Sequence, residues 1–309
     1  MITAAAVSPS LDVTYVVEQL TGIQRPLEVH RVAGGKALNA ARAAAALGSS
    51  VAAVAVLGGG AGTTVADLAR ADGVDLRVVD GGGLTRTCVS VLARSDDGLT
   101  EIYEHAAPVL PDAYSAFLDT LGDLLAGRPG WCLVSGSVPA SLGADALVRL
   151  AAVVARAGVS LAVDSHGPAL RGLLEDTSPD LLKVNRTEAC EVLDLAVSTP
   201  LAAIVDALHV RTGGLVVVTD GIAGVRATDG SRTLHASLPG VVGAFPVGSG
   251  DSLLGALVRA LDEGLDLSDA LRLATAAGAA NALVPGAARF DLPTLARLAD
   301  GVILTDETG

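Results

Sequence analysis

Gly243-Ala244-Phe245-Pro246-Val247-Gly248-Ser249-Gly250-Asp251-Ser252 runs directly into a helix-periodic apolar stretch. In that stretch Leu253, Leu254, Leu257, Val258 and Leu261 share one stripe, and Gly264 supplies the stop. The segment joins flexible backbone, a helix amino terminus and one carboxylate. Without side chains, Gly248 and Gly250 let the main chain turn sharply and bare its N–H groups. The first helical turn adds further unpaired N–H groups and the positive end of its dipole. Negative charge developing nearby would be stabilised. Asp251 could cap the helix, or could take a proton from a hydroxyl attacking a bound phosphate, and the local sequence leaves both open.

Outward from this segment, β-rich runs at 50–57, 131–135, 160–164, 181–184 and 215–219 alternate with amphipathic stretches at 37–47, 64–71, 144–157, 200–210, 253–261 and 268–283. Such alternation predicts βαβ units on a mainly parallel central sheet, an α/β fold. Two regions break it. Runs 87–93 and 99–104 flank the turn Ser95-Asp96-Asp97-Gly98, and runs 225–228 and 232–236 flank Asp229-Gly230, so both read as hairpins. With extended pieces at 12–17 and 29–31, the first hairpin could form a small separate sheet, packed as a lid over the carboxyl ends of the main strands, where open α/β sheets bind ligands. Its free face would suit contact with a second copy of the chain. The triplets Gly58–Gly60 and Gly81–Gly83 read as turns or hinges, and no linker or solenoid repeat interrupts a single domain spanning 1–309.

Composition narrows the function classes. Half of the 309 residues are hydrophobic and only 2% aromatic, which suits a core of Ala, Val and Leu. Gly, Pro or charged residues interrupt each apolar run short of a bilayer span, so no membrane segment is expected. No signal peptide is legible at the amino terminus, which makes the cytoplasm the expected location. A net charge of −13 without a basic run argues against nucleic acid and anionic membranes as partners. Any phosphate site must therefore be local. Among 21 basic residues only Lys36 and Lys183 are lysines, and a compact ammonium differs from a planar guanidinium in what it can hold. Cys88, Cys132 and Cys190 are scattered and read as reduced core thiols. The five histidines show no metal spacing. Asp164-Ser165-His166 is no triad by adjacency, and Asp164 is expected to end a strand at the ligand edge.

A second glycine-rich segment, Ala33-Gly34-Gly35-Lys36-Ala37-Leu38-Asn39-Ala40-Ala41-Arg42, also leads into a helix. It is not a Walker A loop, because Ala follows Lys36, and it lacks the third glycine of a dinucleotide fingerprint. Paired glycines permit close approach, Asn39 offers donor and acceptor, and Lys36 a point charge. A plain structural turn is the alternative reading.

The two glycine segments, in this order, resemble the two signatures of the PfkB/ribokinase-like carbohydrate kinases. Ser8-Pro9-Ser10-Leu11-Asp12 resembles the family's Asn-Pro-x-Leu-Asp. Gly136-Ser137-Val138-Pro139 is similar to its Gly-Ser-Leu-Pro, and Lys183-Val184-Asn185-Arg186-Thr187-Glu188 to its Lys-Pro-Asn-x-x-Glu. Thr219-Asp220-Gly221-Ile222-Ala223-Gly224 is similar to Ser-Leu-Gly-x-x-Gly. Gly22-Ile23-Gln24-Arg25, Thr85-Arg86-Thr87 and Thr100-Glu101-Ile102 resemble lid segments of the hexose-phosphate branch, which includes 1-phosphofructokinase and tagatose-6-phosphate kinase.

The resemblance implies a three-layer α/β/α ribokinase-like fold with a β lid drawn from about 11–33 and 84–106. It also implies ATP-dependent phosphorylation of a sugar-phosphate hydroxyl with Mg²⁺. Asp251 would be the base, with the N–H groups of Ser249, Gly250 and Asp251, and the turn at Gly248, holding the transferring phosphoryl group. Asp12, Gly34, Gly35, Lys36, Asn39 and Ser137 would hold the sugar, and Arg25, Lys36 and Arg86 its phosphate. Lys183, Asn185, Thr219, Gly221, Gly224 and Asn281 would face the nucleotide. Asn185 and Glu188 would organise Mg²⁺ through water, and two lids would pair subunits. Competing readings are a kinase of an unphosphorylated sugar or nucleoside, and a non-catalytic sugar-binding regulator. Ser249 for the family's Ala, Ala37 for Gly, Ser8 for Asn and Val184 for Pro depart from its pattern.

Overall fold

The computed structural model describes residues 1–95 and 98–308. Among them, fourteen strands run in chain order: β1 (Ile2–Ala6), β2 (Ser10–Val17), β3 (Glu28–Gly34), β4 (Val51–Leu57), β5 (Val74–Asp80), β6 (Arg86–Ala93), β7 (Leu99–Tyr103), β8 (Trp131–Ser135), β9 (Ser160–Asp164), β10 (Leu181–Asn185), β11 (Leu215–Thr219), β12 (Val225–Thr228), β13 (Thr233–Ser237) and β14 (Ile303–Asp306). The α-helices are α1 (Lys36–Ala46), α2 (Gly59–Ala71), α3 (Pro111–Leu125), α4 (Ala146–Ala157), α5 (Gly167–Asp176), α6 (Arg186–Leu193), α7 (Leu201–Thr212), α8 (Ser249–Asp262), α9 (Leu267–Ala282) and α10 (Leu292–Asp300).

Ten strands form one sheet in the order β14-β13-β12-β11-β10-β9-β8-β1-β4-β5. Pairing is parallel from β5 through β11 and antiparallel from β11 to β14. Side chains alternate across this sheet and feed two cores. Leu254, Leu257 and Leu271 belong to the one built with α1, α2, α8, α9 and α10; Phe117, Leu150 and Leu208 belong to the one under α3 to α7. Helices thus cover both faces, as a parallel sheet requires. The order of strands reverses at β1, from which the chain builds outward through β4 and β5 on one side and β8 to β11 on the other. Ligand crevices open at such reversals.

The expected separate sheet is present, with order β3-β2-β6-β7. Its centre is the parallel pairing of β2 with β6, registered from Ser10–Arg86 to Val17–Ala93. Both sequence hairpins form; of the first turn, Asp96 and Asp97 lie outside the described residues.

One expectation changes. Gly59 and Gly60 open α2 and do not form a free hinge; Gly58 precedes them because a Cβ there would lie 2.0 Å from the carbonyl oxygen of Gly83. A second close approach matters for the site. A Cβ on Gly255 of α8 would lie 2.3 Å from the Ala40 carbonyl oxygen of α1, so the two helices touch backbone to backbone. That contact lies one turn beyond Asp251 on α8 and next to Asn39 on α1, where the two side chains meet.

Candidate active site

Asp164 closes β9, Asn185 closes β10 with Lys183 two residues before it, and Thr219 closes β11, so three neighbouring strands deliver polar groups to one edge. The glycine segment crosses that edge. Gly248 is left-handed (φ 84°), and a Cβ on it would lie 2.7 Å from the Ala288 nitrogen, so glycine is required on two counts. The Ser249 N–H donates to the Pro246 carbonyl at 3.1 Å, and the first intrahelical bond runs from the Ser252 N–H to the Gly248 carbonyl at 2.8 Å. Between them the N–H groups of Gly250 and Asp251 have no protein acceptor among the described residues. This amends the sequence expectation: two amides, not three, are available to an anion, because the turn closes on the Ser249 amide.

Asn281 also differs from expectation. Its side chain is fully buried and donates to the carbonyls of Phe245 (3.2 Å) and Val247 (2.9 Å) and to Ser249 Oγ (3.1 Å). It braces the glycine segment from below instead of facing a nucleotide.

Asp251 sits in the first turn of α8, where the dipole favours negative charge, yet it is only 7% exposed. Burial and the nearby carboxylate of Asp164 push it up to about 6, against the pull of Lys183, the Asn39 hydrogen bond and Lys36. Asn39 Nδ2 donates to Asp251 Oδ2 at 2.9 Å. A carboxylate held near neutrality, oriented by one donor and placed beside bare amides, has the properties of a general base.

The two lysines meet on one acid. Lys183 Nζ lies 2.7 Å from Asp164 Oδ2 and Lys36 Nζ 3.0 Å from Oδ1, and Lys36 also reaches Glu188 Oε1 at 3.0 Å. Burial alone would raise Asp164, but the two ammonium groups outweigh it and hold the carboxyl below the usual range. Burial would likewise lower Lys36, and Asp164 and Glu188 reverse that. Lys36, expected at the sugar and its phosphate, is therefore already tied to two carboxylates. Asp164 was legible only as a strand end, although the presence of just two lysines, both in motif-like segments, was a signal that they share a task.

Asn185 and Glu188 form a capping box at the start of α6. Asn185 Oδ1 accepts from the Glu188 N–H and Glu188 Oε2 from the Asn185 N–H, both at 2.9 Å. Both side chains are thus engaged, and among the described residues no group of three His, Cys, Asp or Glu is arranged to hold a metal ion. The donor set fits an ion carried on nucleotide phosphates and met through water, not one caged by protein.

Two clefts are present, and Ser249 and Gly250, next to the carboxylate in the chain, line one of them. One, of about 260 Å³, is lined by Thr219, Gly221, Gly224, Ser249, Gly250 and apolar side chains from α9 and the segment before α8. The other is lined by Arg86, Tyr103, Glu104, His105 and Ser137, so it lies against the small sheet. Beside it, Gly34 meets Asp12 so closely that a Cβ would fall 2.0 Å from Asp12 Cγ, and Gly35 has φ 90°. Burial raises Asp12, opposed by its bond from Ser10 Oγ at 2.5 Å and by Arg42 and Arg86. Arg25 stands exposed between β2 and β3 and lines neither cleft.

A buried carboxylate pushed up to about 6, beside bare helix amides and a cleft lined by Ser249 and Gly250, is an arrangement suited to phosphoryl transfer to an alcohol. Residues 6–295 match the family described as pfkB family carbohydrate kinase. The chain belongs to that family. It is 32% identical over 280 residues, 89% of this chain and 88% of the other, to a 1-phosphofructokinase of Rhodobacter capsulatus. Phosphofructokinase-2 from Escherichia coli shares the fold. Its complex with fructose-6-phosphate gives a TM-score of 0.86 and its complex with substrates and products 0.88, each at 24% identity over 97% of this chain and 98% of that one.

Proposed function

We propose that the protein transfers the γ-phosphoryl group of ATP to a hydroxyl of a hexose phosphate of the fructose 1-phosphate or tagatose 6-phosphate type. The observation that carries the reading is Asp251, buried, pushed up to about 6 by its surroundings and hydrogen-bonded to Asn39 beside the bare amides at the start of α8. The 1-phosphofructokinase relative supports a phosphorylated sugar, and so does Arg86, whose guanidinium borders the sugar-side cleft.

In this reading the acceptor hydroxyl approaches the free oxygen of Asp251, which takes its proton, while the N–H groups of Gly250 and Asp251 stabilise charge on the transferring group. Asp12, Gly34, Gly35, Asn39 and Ser137 orient the sugar. Lys183, Thr219, Gly221 and Gly224 line the nucleotide side. Mg²⁺, when bound, neutralises phosphate charge, and Asn185 with Glu188 would meet it through water. The small sheet acts as a lid, and its exposed Ile23, Leu27, Val29 and Ile102 suit pairing with a second copy. An Ile23→Asp variant should then weaken a dimer seen by light scattering, and a monomeric parent would exclude the pairing.

The decisive assay gives purified protein ATP, Mg²⁺ and a panel of free and phosphorylated sugars. ADP release with hexose phosphates is expected. No release with any sugar, or release only with unphosphorylated ones, overturns the reading.

A further inference from the structure

We infer that Arg42 is a positioning residue that acts through Asn39, fixing which end of the Asn39 amide meets the carboxylate of Asp251. The inference rests on Asp251 being the base.

Arg42 is 4% exposed and lies one helical turn beyond Asn39 on α1. Its Nη2 donates to Asn39 Oδ1 and to the Ala287 carbonyl, each at 2.6 Å, and its Nη1 to the Ala33 carbonyl at 2.7 Å. Asp72, at the end of α2, balances its charge from 3.6 Å and is itself shared with Arg289 at 2.8 Å. Burial brings the guanidinium down to about 10, with Asp72 opposing. A buried cation of this kind is a weak source of stability, so its geometry is the more informative property.

An Asn side chain has an acceptor end and a donor end of nearly equal shape. With a guanidinium on Oδ1, only Nδ2 can face Asp251. Flipped, the amide would set its carbonyl against Asp251 Oδ2 and favour the protonated acid, which cannot accept a proton from a substrate. Arg42 thus selects the ionised, oriented form of the base. Its fork also ties Ala33, next to the first glycine pair, to Ala287, whose Cα would lie 2.9 Å from a Cβ on Gly248. Both glycine segments are registered on one planar group, which a lysine could not reproduce.

The test is a double-mutant cycle of Arg42→Met and Asn39→Ala, read by kcat, KM and the pH profile. Besides Arg42 itself, the charged groups facing Asp251 are Asp164 from β9, Lys183 from β10 and Lys36 from α1, and those three are retained in both variants. Because loss of the Arg42 charge would by itself raise Asp251, the shift that Arg42→Met causes in the profile must vanish in the Asn39→Ala background, and its persistence there overturns the inference. Arg42→Met should lower kcat about 10- to 100-fold with smaller changes in KM, and move the acidic limb of the profile to higher pH. The double variant should be no slower than Asn39→Ala alone. Arg289→Ala, which touches Asp72 but not Asn39, should move neither. Additive losses, or a slower Arg42 variant with an unmoved profile, overturn the inference. Arg42→Lys is read in the same way if Arg42→Met does not fold, and failure of both to fold makes Arg42 a folding residue and overturns it too. A parent inactive on all sugars would instead count against the proposed function.

Discussion

Gly250 and Lys183 face each other so closely that a Cβ at position 250 would sit 2.8 Å from Lys183 Nζ. The lysine cannot simply swing aside, because Asp164 holds the same ammonium at 2.7 Å. Gly250→Ala should therefore keep the fold, since alanine favours a helix by about 1 kcal/mol over glycine. Turnover should fall at least about 10-fold as the ammonium and the amides are displaced. Thermal melts alongside kcat separate the two effects, and unchanged turnover would show that the approach has no catalytic consequence.

Asp251→Asn should lower kcat about 100- to 10,000-fold, and the kcat/KM of the parent should fall as pH drops through about 6. Stability runs the other way. The folded carboxyl sits above its ordinary 3.8, so it holds more protons folded than unfolded, and its stabilising contribution is lost as pH rises through about 6. Relative to Asp251→Asn, the parent should thus lose roughly 3 kcal/mol between pH 3 and pH 7, measurable by denaturant titration. A constant difference would mean that the carboxylate is not buried at a cost.

Asp164→Ala leaves two ammonium groups without their shared partner, one of them on the nearly buried Lys183. A loss of about 3–5 kcal/mol is expected from breaking such a pair. Because the Asp164 carboxyl is held below 3.8, its contribution is present above that pH and disappears as pH falls through its lowered value. Melting temperatures of parent and variant should therefore converge only in strong acid.

Arg86→Ala and Arg25→Ala should part company. Arg86 borders the sugar-side cleft and anchors to the Ser8 carbonyl at 3.2 Å, whereas Arg25 is exposed and apart from it. Loss of a charged hydrogen bond should raise the KM for a hexose phosphate about 10- to 100-fold in Arg86→Ala. If lids pair across subunits, Arg25→Ala raises it too; if not, KM stays put.

The βα alternation, both hairpins and both glycine segments were legible because each follows from local periodicity or from backbone freedom. Strand β1 was not, since Ile-Thr-Ala-Ala-Ala has no alternation and its β-branched Ile2 and Thr3 give way to three alanines, and only its pairing with β4 on one side and β8 on the other makes it a strand. Helix α3 was missed although Leu110-Pro111-Asp112 marks its start. At the site, Asp251, Asn39 and Lys183 were readable from motif types. What each touches was not: the role of Asn281 as a brace and of Asp164 as a shared counter-ion depends on contacts between strands and helices far apart in sequence.

Asp12, Gly34 and Arg86 all lie at one end of the four-stranded sheet, locked by the pairs Ser10–Gly34 and Ser10–Arg86. Backbone ladders make these contacts a single mechanical part. If the small sheet is the lid proposed above, a tilt that lowers it would also drive its acceptor-side edge inward, so that grip and shelter arrive together. Redesign for a different acceptor would have to rewrite that whole margin, because no one contact along it can be tuned in isolation.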